Sequence, residues 1–273
     1  MTRYAPMFER LAAADEIAFG GFLMLGHPGP DRTPALLDAL IEGGCDMVEV
    51  GIPFSDPVAD GPVIAKAAKQ ALEAGVRTAD CLAMIADFRA RHPDVPIGIL
   101  TYANIVVARG RERFCAELGE AGADSLLVAD VPSIEAAPWA EAAGTAGIDP
   151  VLIAAPTTPQ PALETIARLG RGYTYCVARL GVTGSGTAAF SGTGAAARGM
   201  GHRPLFANLA RLGAPPPVLG FGISTPAHVT EARATGAAGV ISGSALVERA
   251  VLPDGPDQVR AFCQTMKAAT RRA

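Results

Sequence analysis

Three segments of the chain share one arrangement: IEGGCDMVEVG (41–51), GEAGADSLLVAD (119–130) and RATGAAGVISG (233–243). Each runs from a helix end through a glycine and a small turn into a short apolar stretch. A glycine just past a helix supplies the left-handed conformation that ends it. A strand that is apolar on both faces belongs in a parallel sheet covered by helices. The repeat is therefore the αβ half of a β/α unit. On that template the chain predicts eight strands, at Phe19–Leu25, Met47–Val50, Ile97–Tyr102, Ser125–Ala129, Val151–Ala155, Tyr173–Val177, Val218–Phe221 and Val240–Ser242. Helices are expected between them, for example over Thr33–Glu42, Thr78–His92, Arg111–Ala121, Ile134–Ala146, Pro161–Leu169 and Pro226–Thr235. Pro34, Pro161 and Pro226 fall where a first-turn proline is tolerated. With 273 residues, 49% of them hydrophobic, the chain suits a single-domain α/β (β/α)8 TIM barrel over 1–273. A doubly wound open sheet is the alternative, because periodicity does not establish closure. The absence of GxGxxG after the first strand weighs against a dinucleotide fold.

Composition narrows the function. A net charge of −4 and a pI near 5.6, with scattered basic residues, point away from nucleic acid and anionic membranes. Five dispersed cysteines, with no CxxC, read as reduced thiols rather than metal ligands. The N-terminus places Glu9, Asp15 and Glu16 ahead of IAFGGFLMLG, the reverse of a secretory signal. No apolar run approaches the roughly 20 residues that span a bilayer. A soluble, cytoplasmic protein is expected.

The segment GSGTAAFSGTGAAARGMGHRP (184–204) follows the sixth strand and is read as a long glycine-rich loop on the C-terminal face, where barrels build active sites. Glu49 interrupts the apolar run MVEV. Alternation puts Met47, Glu49 and Gly51 on one side of the second strand and Val48 and Val50 on the other. If the glutamate side faces the barrel mouth, desolvation raises its pKa and suits it to proton transfer near neutrality. The competing reading is a glutamate paired with a basic neighbour, but none adjoins it in sequence. Asp60, in the following loop, can reach the same pocket, and two carboxylates in one pocket invite different roles. Asp56 reads more simply as a turn former.

GVTG (181–184), GFGIS (220–224) and SGSA (242–245) follow the sixth, seventh and eighth strands. Glycines let backbone N–H groups approach an anion, and barrels bind phosphate at the loops after strands seven and eight. Together the three segments point to a phosphorylated substrate. Phe22, Leu100, Tyr102, Ala129, Ile153, Tyr175 and Phe221, from different strand ends, could line a pocket for a flat aromatic body; barrel-core packing is the alternative for each. The histidines form no HxxH or HExxH pattern, and His27 alone falls near the expected mouth. No G-x-S-x-G elbow occurs.

In VEVGIPFSDPVADGP, PIGILTYAN, LLVADVP, GRGYTYCVARLGVTG, GFGIS and GVISGSALV, in that order from Phe8 to about Ala269, the chain resembles the tryptophan synthase α subunit family. The resemblance implies a (β/α)8 barrel, a carbon–carbon lyase that splits indole-3-glycerol phosphate into indole and glyceraldehyde 3-phosphate. It implies that Glu49 shuttles protons, that Asp60 stabilises positive charge on the indole ring, and that Tyr175 flanks the glutamate. Phe22, Leu100 and Phe221 would surround the indole, with Thr183 beside the substrate. Gly184, Gly222, Gly243 and Ser244 would hold the phosphate. No cofactor is expected in this chain; pyridoxal phosphate belongs to a β-subunit partner in an α2β2 complex, with Pro53 and Asp56 at the interface. The chain departs from the family pattern at Ala65, Ala178, Met24 and His27, and in the length and glycine content of the loop after Thr183. These positions bear on communication with a β subunit, not on the two carboxylates. A stand-alone lyase releasing free indole, a catalytically weak activator of a β subunit, and another phosphate-binding barrel are the competing readings.

Overall fold

The computed structural model describes residues 2–177 and 195–271. Its strands are β1 (Ala18–Met24), β2 (Met47–Gly51), β3 (Ile97–Thr101), β4 (Ser125–Val128), β5 (Asp149–Pro150), β6 (Leu152–Ala154), β7 (Thr174–Val177), β8 (Pro217–Gly220) and β9 (Gly239–Ser242). All pair in parallel, in the order β5-β4-β3-β2-β1-β9-β8-β7-β6. The two ends of that order are consecutive in the chain, with Val151 alone between them. β5 pairs with β4 and β6 pairs with β7, so one stretch of chain bridges both neighbours. The nine strands therefore form eight staves of a barrel, as the repeat predicts, and the open sheet is set aside.

The repeat's glycines behave as their position demands. Gly44, Gly122 and Gly236 have φ of +92°, +86° and +95°, a region that other residues enter only with strain. Helices Thr33–Glu42 and Pro226–Thr235 match expectation at both ends. Of the glycine-rich stretch, 184–194 lies outside the described residues, and the remainder is not a loop but part of the helix Ala195–Arg211. Alanines favour that state, and Leu205, Phe206 and Leu209 fix it by burial against the core.

Side chains alternate across each stave. Val48, Val50, Ile97 and Ile99 pack outward into the layer under the helices. Phe22, Met47, Leu127, Tyr175, Val218 and Ile241 point into a second cluster inside the barrel. The N-terminal helix Tyr4–Ala13 closes the floor, inserting Tyr4, Met7 and Leu11 into that cluster. The Tyr4 hydroxyl lies 2.8 Å from Ser125 Oγ, and its ring meets Tyr173 edge-on at 5.2 Å.

Two buried aspartates hold the N-terminal rim. Asp46 accepts the Phe19 N–H at 3.0 Å and pairs with Lys267 at 2.7 Å and Arg10 at 3.1 Å. Asp124 accepts the N–H groups of Ile97 (2.8 Å) and Arg3 (3.0 Å) and pairs with Arg89 at 2.6 Å and Arg3 at 2.9 Å. The bonds at Asp124 join β3, the helix Thr78–Arg91 and the N-terminal Arg3 to the start of β4, so this rim governs stability rather than chemistry. Asp124→Ala leaves two amides and the Nη2 of Arg89, whose other nitrogens keep backbone carbonyl acceptors, without their carboxylate and should cost about 3–5 kcal/mol. Urea unfolding reads this directly, as a lowered midpoint; an unchanged midpoint contradicts the assignment.

Candidate active site

The C-terminal end of the barrel opens into a cavity of about 370 Å³. Glu49 stands in its wall, in register with Phe22 on β1 and Gly98 on β3. Gly98 makes room for what lies below: a Cβ there would come within 2.8 Å of the Tyr4 hydroxyl and 2.7 Å of Ser125 Oγ. Glu49 is 2% exposed. Burial raises its carboxyl to about 7; the hydrogen bond from Tyr173 opposes the rise, and the negative charge of Asp60 adds to it. Tyr173 donates to Glu49 Oε1 at 2.9 Å.

Asp60 sits in the loop after β2, immediately before the helix Pro62–Glu73. Burial raises its carboxyl to about 6, with hydrogen bonding to the Tyr102 hydroxyl pulling the other way. Its Oδ2 is buried with no partner among the described residues. A buried acceptor without a donor is costly, and Asp60 lines the cavity, where a ligand N–H could supply one.

The structure brings most of the expected residues together. Phe22, Leu100, Ala129, Ile153, Tyr175 and Phe221 line the cavity with the two carboxylates. Tyr175 is buried and meets Phe221 edge-on at 6.2 Å. It occupies space that Gly220 leaves, since a Cβ on Gly220 would lie 2.0 Å from the Tyr175 hydroxyl oxygen. Gly222, Gly243 and Ser244, on the loops after β8 and β9, also line the cavity, with Ser224. The loop there is set by unusual backbone: Phe221 has φ +78° and Gly222 φ +74°. A non-glycine residue held in that region stores roughly 1–2 kcal/mol of strain. The Ser242 hydroxyl, donating to the Ile223 carbonyl at 2.6 Å, ties this loop to the end of β9.

Three expectations are corrected or redistributed. Tyr102 does not line the cavity. β3 ends at Thr101, so alternation no longer governs Tyr102; its ring stacks on Phe54 at 5.2 Å and its hydroxyl accepts the Ala59 N–H at 3.2 Å. It supports the Asp60 loop from behind. Pro53 is buried, whereas Asp56 is exposed and bonded to Ser55. His27 is buried outside the cavity, and burial, with the charges of Lys66 and Arg32, lowers its pKa to about 4, so it stays neutral near pH 7. Thr183, Gly184 and Ala178 lie outside the described residues.

Tyr173 is the main site residue that the sequence reading passed over. The signal was present: it lies two positions before Tyr175 and so shares its inward side. Leu127, Ile241 and Ile64 also line the cavity. Among the described residues, no group of three His, Cys, Asp or Glu side chains could hold a metal ion, and no helix is long and apolar enough to cross a membrane.

The arrangement suits a ligand with a flat apolar body among the apolar side chains beside the carboxylates and an anionic tail at the glycine loops. It also predicts a pH signature. Because folding raises the Glu49 pKa from 4.5 to about 7, the native state binds the extra proton between those values. Stability contributed by protonated Glu49 is full below pH 4.5 and is lost as pH rises through 7. A shift of that size corresponds to roughly 3 kcal/mol. Glu49→Gln should therefore stabilise the fold by up to about 3 kcal/mol at pH 8, with the gain vanishing near pH 4. Thermal or urea unfolding at the two pH values measures it; a pH-independent difference contradicts it.

The chain matches, over residues 8–271, the family described as tryptophan synthase alpha chain. It is 47% identical to the tryptophan synthase alpha chain of Shewanella amazonensis over 275 residues, covering 99% of this chain and all of the relative. It is also 47% identical to that of Klebsiella pneumoniae over 280 residues, covering both chains completely. Among solved structures, tryptophan synthase subunit alpha from Legionella pneumophila superposes with a TM-score of 0.86 at 28% identity, over 99% of this chain and 98% of that one. A tryptophan synthase chain from M. tuberculosis superposes at 0.85 with 29% identity, over 99% of this chain and 100% of that one. The barrel, the paired carboxylates and these likenesses agree: the chain belongs to the tryptophan synthase alpha chain family, the carbon–carbon lyases of tryptophan biosynthesis.

Proposed function

We propose that the cavity cleaves indole-3-glycerol phosphate, with Glu49 moving the protons and Asp60 balancing the charge. The observation that carries this assignment of roles is a pair of carboxylates with raised pKa in one apolar cavity, one fully buried and hydrogen-bonded, the other with a buried unpartnered oxygen. At about 7, Glu49 is populated in both protonation states near neutrality, the condition for a group that must give and then take a proton. It first protonates indole C3, which leaves a cationic, indolenine-like ring. Asp60, ionised, accepts the ring N–H and lowers the energy of that cation. Glu49, now a carboxylate, takes the proton from the hydroxyl on the carbon attached to the ring. The carbon–carbon bond breaks toward the ring, restoring indole, and the departing carbon becomes the aldehyde of glyceraldehyde 3-phosphate. The Tyr173 hydrogen bond at 2.9 Å fixes the carboxylate orientation through both transfers. Phe22, Leu100, Ala129, Ile153, Tyr175 and Phe221 enclose the indole; Gly222, Gly243 and Ser244, with Thr183 and Gly184, hold the glycerol phosphate.

The same end of the barrel offers a docking face for a β subunit, the partner that would carry pyridoxal phosphate. Val58, Val107 and Ile134 follow β2, β3 and β4 and are 71%, 62% and 82% exposed. Large apolar side chains on three consecutive strand-to-helix connections, Val107 on the short helix Ala103–Arg109 and Ile134 on a single 3-10 turn, form the kind of surface that association buries. Asp56 belongs to it, while buried Pro53 shapes the loop that carries Val58. An α2β2 complex in the cytoplasm, passing indole to the β subunit, is the assembly this supports.

Two measurements test the reading. Glu49→Gln and Asp60→Asn should each keep the fold and lower indole release from indole-3-glycerol phosphate by about 100-fold or more, the scale of a lost proton-transfer group. Turnover unchanged in either variant contradicts the roles. Adding a β subunit to the parent chain should raise indole release steeply; equal rates with and without it, at about 1 per second or more, mark a stand-alone lyase.

A further inference from the structure

The anion end of the cavity carries a carboxylate and, among its described lining residues, no cation. Gly222, Ser224, Gly243 and Ser244 line this end, and so does Glu248. Glu248 follows Ser244 by four positions on the helix Ser244–Ala250, so the two side chains stand on the same helical face. Its carboxylate is exposed and makes no ion pair among the described residues. The adjacent Arg249 does not compensate. Its guanidinium donates to the Ala245 carbonyl at 2.6 Å and lies 4.2 Å over the Phe262 ring, which commits it to the helix Gly255–Ala268.

We propose that Glu248 is a specificity-determining residue that limits affinity for the phosphate dianion, so that the glycine loops bind the phosphorylated substrate and product more weakly than their backbone donors alone would allow. This rests on the phosphate assignment above. A negative charge one helical turn from Ser244 repels a dianion more than a monoanion, and the repulsion is relieved when glyceraldehyde 3-phosphate leaves. Two like charges separated by roughly 6–8 Å in a solvated mouth change binding by about three- to tenfold, less at high salt. Glu248 acts through the field at the anion and takes no part in the bond-breaking steps.

The test titrates inorganic phosphate into the parent chain, E248Q and E248D by calorimetry, and measures KM and kcat for indole release in parallel. In E248Q the Kd for phosphate should fall about three- to tenfold at low ionic strength, the gap narrowing at about 0.5 M salt. KM should follow it, with the change carried in KM more than in kcat. E248D, which keeps the charge, should bind like the parent. A Kd and KM that are the same in E248Q and the parent overturn the proposal, as does a salt-independent difference. Indole release without measurable phosphate binding in any of the three also overturns it. Tighter phosphate binding in E248Q, with no indole release by any of them, supports the role of Glu248 and overturns the proposed reaction instead.

Discussion

The structure turns on one carboxyl group held away from water inside a parallel barrel. Glu49 is 2% exposed, and a charge there is costly in proportion to the burial around it. The surroundings offset only part of that cost. Tyr173 donates one hydrogen bond, while Asp60 makes ionisation harder. The result is a glutamate balanced near neutral pH, which a salt bridge would have pulled to the acid side. The absence of any basic group beside Glu49, noted in the sequence, is thus a condition of its chemistry.

The rest of the barrel serves that position. Gly98 leaves the space below Glu49 into which Tyr4, Ser125 and Tyr173 pack. Gly220 does the same for Tyr175, and the left-handed backbone at Phe221 turns its ring into the cavity. At the opposite rim, Asp46 and Asp124 are surrounded by arginine, lysine and backbone donors. The same residue type is a stability device at one end of the barrel and, at the other, leaves Asp60 with one buried oxygen that has no partner among the described residues. The difference lies in the partners supplied.

Much of this was legible from local chemistry. Helix-ending glycines, doubly apolar strands and first-turn prolines located the eight staves, and alternation on β2 separated Glu49 from Val48 and Val50, though only the structure shows that the Glu49 side faces inward. Closure itself was not legible, because it depends on Val151 separating β5 from β6, whose partners lie on opposite sides. Tyr102 was misplaced because an alternation rule holds only while the strand lasts, and β3 stops one residue earlier. The floor helix was missed although Tyr4, Met7 and Leu11 fall on one helical face; its burial depends on contacts with Ser125 and Asp124, more than a hundred residues away. The helical part of the glycine-rich segment was hidden by composition, since Leu205, Phe206 and Leu209 decide it through long-range packing.

The central claim is that burial, with Asp60 nearby, holds Glu49 near neutrality. Carbon-13 NMR of the side-chain carboxyls, with Glu49 assigned by its loss in Glu49→Gln, follows its titration in the unliganded chain. A midpoint near 7 is the predicted result. A midpoint in the ordinary glutamate range, around 4 to 5, would mean that the carboxyl is solvated or paired, and would contradict the account at its root.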